Sequence, residues 1–429
     1  MRSLGSPLLT GVRGQIVCDG GAVVSGIVDF VVSRRRSLRL LSHLTDRSAA
    51  AATVLILVNA LRCFAGIRCP PGGGALVVAR RPNERREAGA LRAFLPEIAW
   101  TQVTFDWRPA SMLAAFQTIR RPLADLRRTT RLARRLVRRF GVFRALRSVE
   151  LIACYRRYVG LLDNRRFTLA VMSSHSNPHG IALHAAAHRF GIPVVLITHG
   201  MPVRPIARLD YELAIHECEA SRRVYVEAGC RMNHTVIKSR RSEYRPLPRR
   251  WPAGWRRVAI CLSKDPAADK VMACVRALLA DPATQQVRIR PHPVNLWDGL
   301  ADAVASLGDP RVSAHASTRL SDDVRACDLV LGGNSTVLLD ALVAGTPACY
   351  VRGLDHGPHD VQDFVRDGLV YELPQLPPID AGAVARFYSR REWPAILRRY
   401  AAVDLSPDDV ARAVQSAISG SASSIRSVA

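Results

Sequence analysis

The chain has 429 residues, of which 48% are apolar and 6% aromatic, with a formal net charge of +25. This length is enough for two domains with full hydrophobic cores, and the composition is typical of a soluble α/β protein. Its ten cysteines are scattered, with neither a CxxC pair nor metal-ligand spacing, which argues against a structural zinc and for reduced thiols in a cytoplasmic protein.

The positive charge is almost entirely arginine, since Lys238, Lys264 and Lys270 are the only lysines. So large an excess of charge implies an anionic partner. An anionic inner leaflet, a lipid-linked acceptor and a polyanionic polymer all qualify, and so does nucleic acid.

The first 74 residues are the least informative. They lack the succession of charged, apolar and cleavage-site residues that marks a secretory signal. The apolar segment Ala49–Leu61 is shorter than a bilayer requires, and Gln15–Ser33 is interrupted by glycines and aspartates. We therefore expect neither a signal peptide nor a membrane span here.

From Ala75 onward the pattern becomes regular. A strand over Ala75–Arg80, a helix over Glu84–Phe94 and a strand over Trp100–Phe105 predict a parallel α/β domain. We assign residues 1–240 to this first domain.

A basic helical insertion at about 110–162 interrupts that domain. Its arginines alternate with apolar residues in an amphipathic pattern that favours contact with a membrane surface or a polyanion over a merely solvated helix face. The arginines of this band are Arg120, Arg121, Arg127, Arg128, Arg131, Arg134, Arg135, Arg138, Arg139, Arg144 and Arg147.

The alternation resumes with a strand over Leu169–Ser173, a helix over His179–Phe190 and a strand over Val194–Thr198 that runs into His199. A histidine at a strand's carboxyl end could accept a proton from an acceptor hydroxyl, because its unperturbed pKa lies near neutrality. The alternative is a structural histidine that orients the following loop.

Four further histidines raise the question of a metal site. No glutamate follows His184 in the HExxH manner, and no acidic cluster accompanies them, so no metal ligand is predicted. They are His175, His179, His184 and His188.

Residues 241–255 are rich in arginine and proline and lack periodicity, which indicates a linker. The second domain, residues 256–418, opens with a strand over Val258–Leu262 that leads into Lys264. Because this lysine precedes a helix, it could contact a donor phosphate. Simple exposure to solvent explains it equally well. Residues 419–429 are predicted to be a tail.

The segment Val287–Pro293 runs a strand into a histidine flanked by prolines. Those prolines end the strand at His292 and leave its imidazole at the carboxyl edge of the sheet, where open α/β sheets bind ligands. The loop Asp355–Asp360 is expected at the same edge, where it would line a ligand pocket.

The stretch Cys327–Arg352 predicts a strand, a glycine turn, a helix over Thr336–Ala344 and a further strand. Asn334 or Ser335 is the expected N-cap, and the helix start suits a phosphate. Asp340, about one turn along the helix, could reach a ribose or sugar hydroxyl.

The pairing of RPHP with GGNSTVLLDALVAGTP resembles the C-terminal half of bacterial surface and capsule polysaccharide glycosyltransferases of the GT-B fold. It is similar to capsule synthesis proteins, CDP-glycerol polymerases and CMP-sugar transferases. The resemblance covers roughly Phe167–Leu373 and is more specific for the fold than for the sugar. It implies two doubly wound Rossmann-like domains facing across a cleft.

The same resemblance implies donor contacts for His292, Ser335 and Thr336, to which we add Asn334, Asp340 and Lys264, and a catalytic role for His199. A metal-independent enzyme without a cofactor is expected. Its partners would be a CMP-, CDP- or UDP-linked donor and a glycan or lipid-linked acceptor.

The predicted function is transfer of a sugar or polyol-phosphate to a surface glycan by a cytoplasmic protein bound peripherally to the inner membrane, with nucleic acid the less favoured partner. Two alternatives stay open. One is a non-catalytic binder of polyanions or nucleic acid, and the other is a sugar-nucleotide epimerase on the same fold.

Overall fold

A computed structural model describes residues 56, 67–105, 131, 135, 137, 142–163, 166–175, 177–198, 200–204, 206–238, 244–248, 250–293, 297–314, 319–373, 376, 378–401 and 408–416. Its strands are β1 (Ile67–Arg68), β2 (Gly74–Val78), β3 (Trp100–Gln102), β4 (Thr104–Phe105), β5 (Phe167–Met172), β6 (Val194–Ile197), β7 (Asp210–His216), β8 (Arg231–Ile237), β9 (Arg257–Cys261), β10 (Gln286–Arg290), β11 (Val312–Ala314), β12 (Leu329–Gly332), β13 (Ala348–Tyr350) and β14 (Tyr371–Glu372). Its helices are α1 (Pro82–Ala93), α2 (Val142–Leu162), α3 (Pro178–Arg189), α4 (Glu219–Glu227), α5 (Ala268–Leu279), α6 (Leu300–Ala305), α7 (Leu320–Arg325), α8 (Val337–Val343), α9 (Ala381–Tyr388), α10 (Trp393–Tyr400) and α11 (408–416).

Two six-stranded parallel sheets organise these elements. The first has the order β3-β2-β5-β6-β7-β8 and the second the order β11-β10-β9-β12-β13-β14. Strands such as Val194–Ile197 and Leu329–Gly332 are buried along their whole length because helices cover both faces of each sheet. The predicted fold class of two doubly wound α/β domains is confirmed, while the proposed domain boundaries stay a prediction.

Several elements differ from the sequence prediction. Strand β8 was not predicted, because it lies at a sheet edge where Val236 is its one fully buried residue and its polar side chains conceal the strand pattern. The two-residue strand β14 was also missed. The predicted strand Trp100–Phe105 is interrupted at Val103.

The described part of the basic insertion is helical and packs against the first domain. Arg131 and Arg135 are exposed, whereas Val137 packs against the core beneath the first sheet, in keeping with the amphipathic pattern. Arg147 on α2 pairs with Glu150 at 2.6 Å. Within the described residues, no helix combines the length and apolar composition that crossing a bilayer requires. The membrane contact stays a prediction.

The cysteines of the described ranges are free thiols, and all of them except Cys69 are buried. Burial raises the pKa of the Cys261 and Cys274 thiols to about 12. These side chains are therefore packing groups rather than nucleophiles.

The two domains meet at the carboxyl ends of their strands. Met201, after β6, and Cys218, after β7, pack into the core of the second domain together with Phe364 and Tyr400. The ligand edges of both sheets therefore face each other. Helix α11 follows the second domain in the chain but returns to the first, where Val410 and Val414 pack against the first sheet.

Ion pairs surround this contact. Asp367, in the loop after β13, pairs with Arg223 of α4 and accepts a hydrogen bond of 2.6 Å from the Tyr400 hydroxyl. Arg204, after β6, lies 3.6 Å from Asp363. Burial by itself raises the pKa of Asp367, but the bonds from Tyr400 and Arg223 outweigh burial and hold the pKa below its usual value.

This lowered pKa predicts how the interdomain contact responds to acid. The Asp367 carboxylate stabilises the fold above its unfolded-state pKa of about 3.9, and its contribution disappears as pH falls through the lower folded-state value. Asp367→Asn should therefore reduce the free energy of unfolding by roughly 1.5–3 kcal/mol at pH 7, the range for a hydrogen bond to a charged group. The difference from wild type should shrink below about pH 4.

Urea denaturation at several pH values measures this difference. Asp302, an exposed aspartate on α6, supplies the matched control, and Asp302→Asn should follow the wild type at every pH. A loss of stability in Asp367→Asn that is the same at pH 3 and pH 7 would contradict the assignment.

Candidate functional site

The second sheet has a topological switch point beside its first strand. From β9 the chain proceeds to β10 and β11 on one side, then returns to β12 on the other side. The connections that leave β9 and β12 therefore run in opposite directions from the carboxyl edge. In open parallel sheets such divergence leaves a crevice that binds ligands.

The predicted donor residues lie along this edge. Arg290, Cys261 and Gly332 share one level of the register across β10, β9 and β12. His292 follows the first of these by two residues, and Lys264 follows the second by three. Because neighbouring strands are about 4.8 Å apart, the ends of β10 and β12 are separated by roughly 10 Å.

These residues differ in exposure. Lys264 is exposed, His292 and Thr336 are half-buried, and Ser335 is 9% exposed. Among the described residues, Lys264 makes no hydrogen bond or ion pair. The switch point thus carries one solvent-facing cation next to two hydroxyl side chains.

The predicted start and N-cap of the helix after β12 are wrong. Helix α8 begins at Val337 with Thr336 as its N-cap, not at Thr336 with Asn334 or Ser335 as the cap. The Ser335 hydroxyl accepts a bond of 3.3 Å from the Val337 N–H, whereas the Thr336 side chain makes no capping bond. The helix has seven residues, and a phosphate contact at its start stays a prediction.

Asn334 is bound within the protein. Its side-chain Nδ2 donates to Asp355 Oδ1 and to the Pro358 carbonyl, both at 2.8 Å, and its Oδ1 accepts from Val361 N at 3.0 Å. Every polar atom of its amide group therefore has a partner in the loop after β13. Asn334 therefore fixes that loop, and a direct donor contact for it stays a prediction.

Asp355 is the acceptor at the centre of this turn. Its carboxylate accepts from the backbone N–H groups of Asn334 at 2.6 Å and Gly357 at 2.9 Å, besides the Asn334 amide. The backbone of Asp355 also forms an antiparallel β-bridge with Pro266, two residues after Lys264. The loops that follow β9, β12 and β13 are therefore joined before any ligand arrives.

Asp340 lies below this turn on α8 and is half-buried. It is one of the charges that raise the pKa of Cys261 at the end of β9, after burial, Cys327 and Asp323. Contact with a sugar hydroxyl stays a prediction.

A second buried carboxylate, that of Asp323, pairs with arginines of β10, the strand that leads into the RPHP segment. This carboxylate was not singled out from the sequence. Asp323 on α7 is 1% exposed and pairs with both Arg288, at 2.7 Å, and Arg290. Two arginines directed to one face of β10 are unusual on a strand of a parallel sheet, and this RIR pattern was the available signal. Asp323 fixes the strand end that precedes His292.

Two histidines of the first domain, His179 and His184, are buried and held by internal contacts. His179 is fully buried against Phe105, and burial, followed by Arg80 and Arg147, lowers its pKa to about 3. His184 Nε2 contacts the Asp210 carbonyl at 2.5 Å. No set of three potential metal ligands comes together within the described residues.

His199 lies outside the described residues, so its catalytic role stays a prediction. His216, at the end of β7, was not singled out from the sequence. Its Nε2 contacts Met232 Sδ at 3.2 Å, and burial, followed by the charge of Arg222, lowers its pKa to about 4. It is therefore a neutral imidazole at neutral pH.

The close packing at the turn predicts the effect of adding one methyl group. A Cβ at Gly333 would overlap Asp355 Oδ2 and lie 3.0 Å from its Cγ, so Gly333→Ala must displace the carboxylate that joins the loops after β12 and β13. We expect a loss of about 1–3 kcal/mol in the free energy of unfolding, the usual cost of overpacking.

Gly160 in α2 has open space around its Cβ position, so Gly160→Ala should be neutral or stabilising. Urea denaturation of both variants checks the prediction. Equal stability of Gly333→Ala and wild type would show that Asp355 does not hold the turn.

Comparison with known proteins gives similarity in structure alone. No protein-family model matches the sequence, and no curated protein does. The calicheamicin glycosyltransferase CalG4 has a TM-score of 0.48 and 18% identity, covering 82% of this chain and 99% of its own. The lipopolysaccharide outer core galactosyltransferase WaaB has a TM-score of 0.43 and 12% identity, covering 81% and 99%.

The UDP-GlcNAc 2-epimerase from Neisseria meningitidis, bound to UDP-GlcNAc, has a TM-score of 0.44 and 10% identity, covering 81% of this chain and 100% of its own. Glycosyltransferases and epimerases thus both appear among the structures to which this chain is similar. At these identities and TM-scores the likenesses carry no conclusion about its chemistry.

Proposed function

We propose that the chain is a glycosyltransferase of the GT-B type, which moves a sugar or polyol-phosphate from a nucleotide-activated donor to a surface glycan or lipid-linked acceptor. The observation that carries the proposal is the topological switch point of the second sheet, where open parallel sheets form a ligand crevice. Lys264 follows β9, Ser335 and Thr336 follow β12, and His292 follows β10, one strand away.

The chemistry of these side chains suits a departing nucleotide phosphate. Lys264 offers an exposed ammonium group, the two hydroxyls can donate hydrogen bonds, and an imidazole N–H can add another. Donors held in place before the reaction stabilise developing negative charge most effectively, because they need not reorganise. The bonds of Asp355 and Asn334 provide such pre-organisation for the turn that carries Ser335 and Thr336.

Acceptor chemistry would take place at the facing edge of the first domain. The contact of Met201 and Cys218 with the second domain brings the ends of β6 and β7 towards the donor crevice. His199 follows β6 in the sequence, so an acceptor hydroxyl held between the domains could lose its proton to this imidazole.

The donor site can be tested with nucleotides alone. Lys264→Ala and His292→Ala should each weaken binding of UDP or CDP by about 10- to 100-fold, because each removes one bond to a charged phosphate. Lys270→Ala changes an exposed lysine on the neighbouring helix α5 and should leave affinity unchanged. Thermal-shift titration with CMP, CDP, UDP and GDP measures the affinities and identifies the preferred base.

Two outcomes would refute this site. One is an unchanged affinity in both Lys264→Ala and His292→Ala, and the other is the absence of binding of any of the four nucleotides to the wild type. An epimerase would instead convert its sugar-nucleotide without an acceptor, so product analysis with and without a glycan separates the two enzymes.

His199 should affect rate but not donor binding. If it is the general base, His199→Ala should lower turnover by about two to four orders of magnitude and leave nucleotide affinity nearly unchanged, since its help is realised in the transition state. His292→Ala should lower both. Full activity in His199→Ala, or a loss of nucleotide binding, would show that the assigned role is wrong.

A further inference from the structure

A cavity lies at the amino ends of the strands of the second sheet, at the edge opposite the switch point. Its volume is about 720 Å³, and its lining includes Arg257 at the start of β9, Asp328 just before β12 and Pro347 just before β13. The rest of its lining includes linker residues between Arg245 and Arg256. We call it the linker cavity.

The linker cavity is separate from the donor crevice. It lies at the amino ends of the strands, whereas Lys264 and Thr336 follow their carboxyl ends. Strand β9 alone has five residues, which at about 3.3 Å per residue puts roughly 16 Å of sheet between the two edges.

The lining is strongly cationic. It contains five exposed arginines and one carboxylate, that of Asp328. Asp328 is already bound, because it accepts from the backbone N–H and the guanidinium of Arg257, both at 2.9 Å. The five are Arg245, Arg250, Arg256, Arg257 and Arg325.

Three of the five arginines have no carboxylate partner among the described residues. With the Gln285 amide oriented so that its oxygen faces Arg256, that guanidinium donates to a neutral group at 2.7 and 3.2 Å. Among the described residues, neither Arg245 nor Arg250 has a carboxylate partner. Several guanidinium groups around one concave surface form the arrangement that proteins use for phosphate.

The wall is rigid despite its place in a linker. Arg245 N donates to the Val343 carbonyl at 2.8 Å, and Gly345, with φ of +84°, lets the linker backbone approach closely. A Cβ there would lie 2.8 Å from the Pro246 carbonyl oxygen. Trp251 stacks on Tyr388 with ring centroids 6.0 Å apart.

A buried aromatic side chain completes the wall. Trp255 is 2% exposed and contributes to the cavity lining.

We propose that the linker cavity binds a phosphate-bearing anion and is a second anionic site, distinct from the donor crevice. Its volume lies in the range of small-molecule pockets, which is larger than one inorganic phosphate requires. The ligand therefore carries several anionic groups or a phosphate on a larger body. The phosphate can belong to a soluble compound or to a lipid headgroup.

Titration of the full chain with inorganic tripolyphosphate at low salt tests the proposal, and vesicles of phosphatidic acid in phosphatidylcholine test the lipid source. In Arg245→Gln/Arg250→Gln, binding should weaken at least about tenfold through the loss of charge-assisted bonds. The matched control Arg276→Gln/Arg398→Gln removes two exposed arginines elsewhere and should bind as wild type does. Lys264→Ala should also leave this binding intact.

Each outcome decides the proposal. Arginine-dependent binding of tripolyphosphate alone supports a soluble ligand, and arginine-dependent binding of the vesicles supports a lipid headgroup. The proposal is overturned if neither probe binds the wild type, or if both bind Arg245→Gln/Arg250→Gln as tightly as wild type. A loss in Lys264→Ala alone would assign the binding to the donor crevice and overturn it as well.

Discussion

The candidate site depends on one buried carboxylate. The Asp355 carboxylate accepts hydrogen bonds from the backbone of Asn334 and Gly357 and from the Asn334 amide. The Asp355 backbone also forms a β-bridge with Pro266. The 8% exposure of Asp355 means that these bonds form in a largely dry environment, where an unpaired carboxylate would be costly. The bonds therefore hold the turn before Ser335 in a defined position.

The loop that begins at Asp355 also reaches the other domain. Its first part, through Val361, bonds to Asn334 at the donor crevice, and its later part places Asp363 and Asp367 against Arg204 and Arg223. One continuous segment therefore contacts both the candidate donor site and the interdomain surface. In a two-domain transferase this would connect the donor turn to the position of the acceptor domain.

Much of this architecture could be predicted from the sequence because buried parallel strands appear as short, continuous apolar runs. Apolar runs such as Val194–Ile197 alternate with helical patterns, and that alternation predicts doubly wound domains. Turn chemistry also located the ends of β10 and β12. The edge strand Arg231–Ile237 was missed because it exposes polar side chains on both faces.

The contacts that organise the site could not be predicted, because they join distant parts of the chain. Nothing local indicates that Asp355 would bind the turn at Asn334, 21 residues earlier, or that Asp323 would pair with arginines of β10. The amide of Asn334 resembled a helix cap in the sequence. In the fold a charged acceptor holds it instead, and the helix starts later, at Val337.

A crystal structure of the chain with bound UDP or CDP tests the central claim most directly. The account predicts that the diphosphate occupies the switch-point crevice, with Lys264 and the Ser335–Thr336 hydroxyls on its oxygens and His292 within hydrogen-bond distance. A nucleotide bound at the amino edge of the sheet, or against the first domain with the crevice empty, would contradict it.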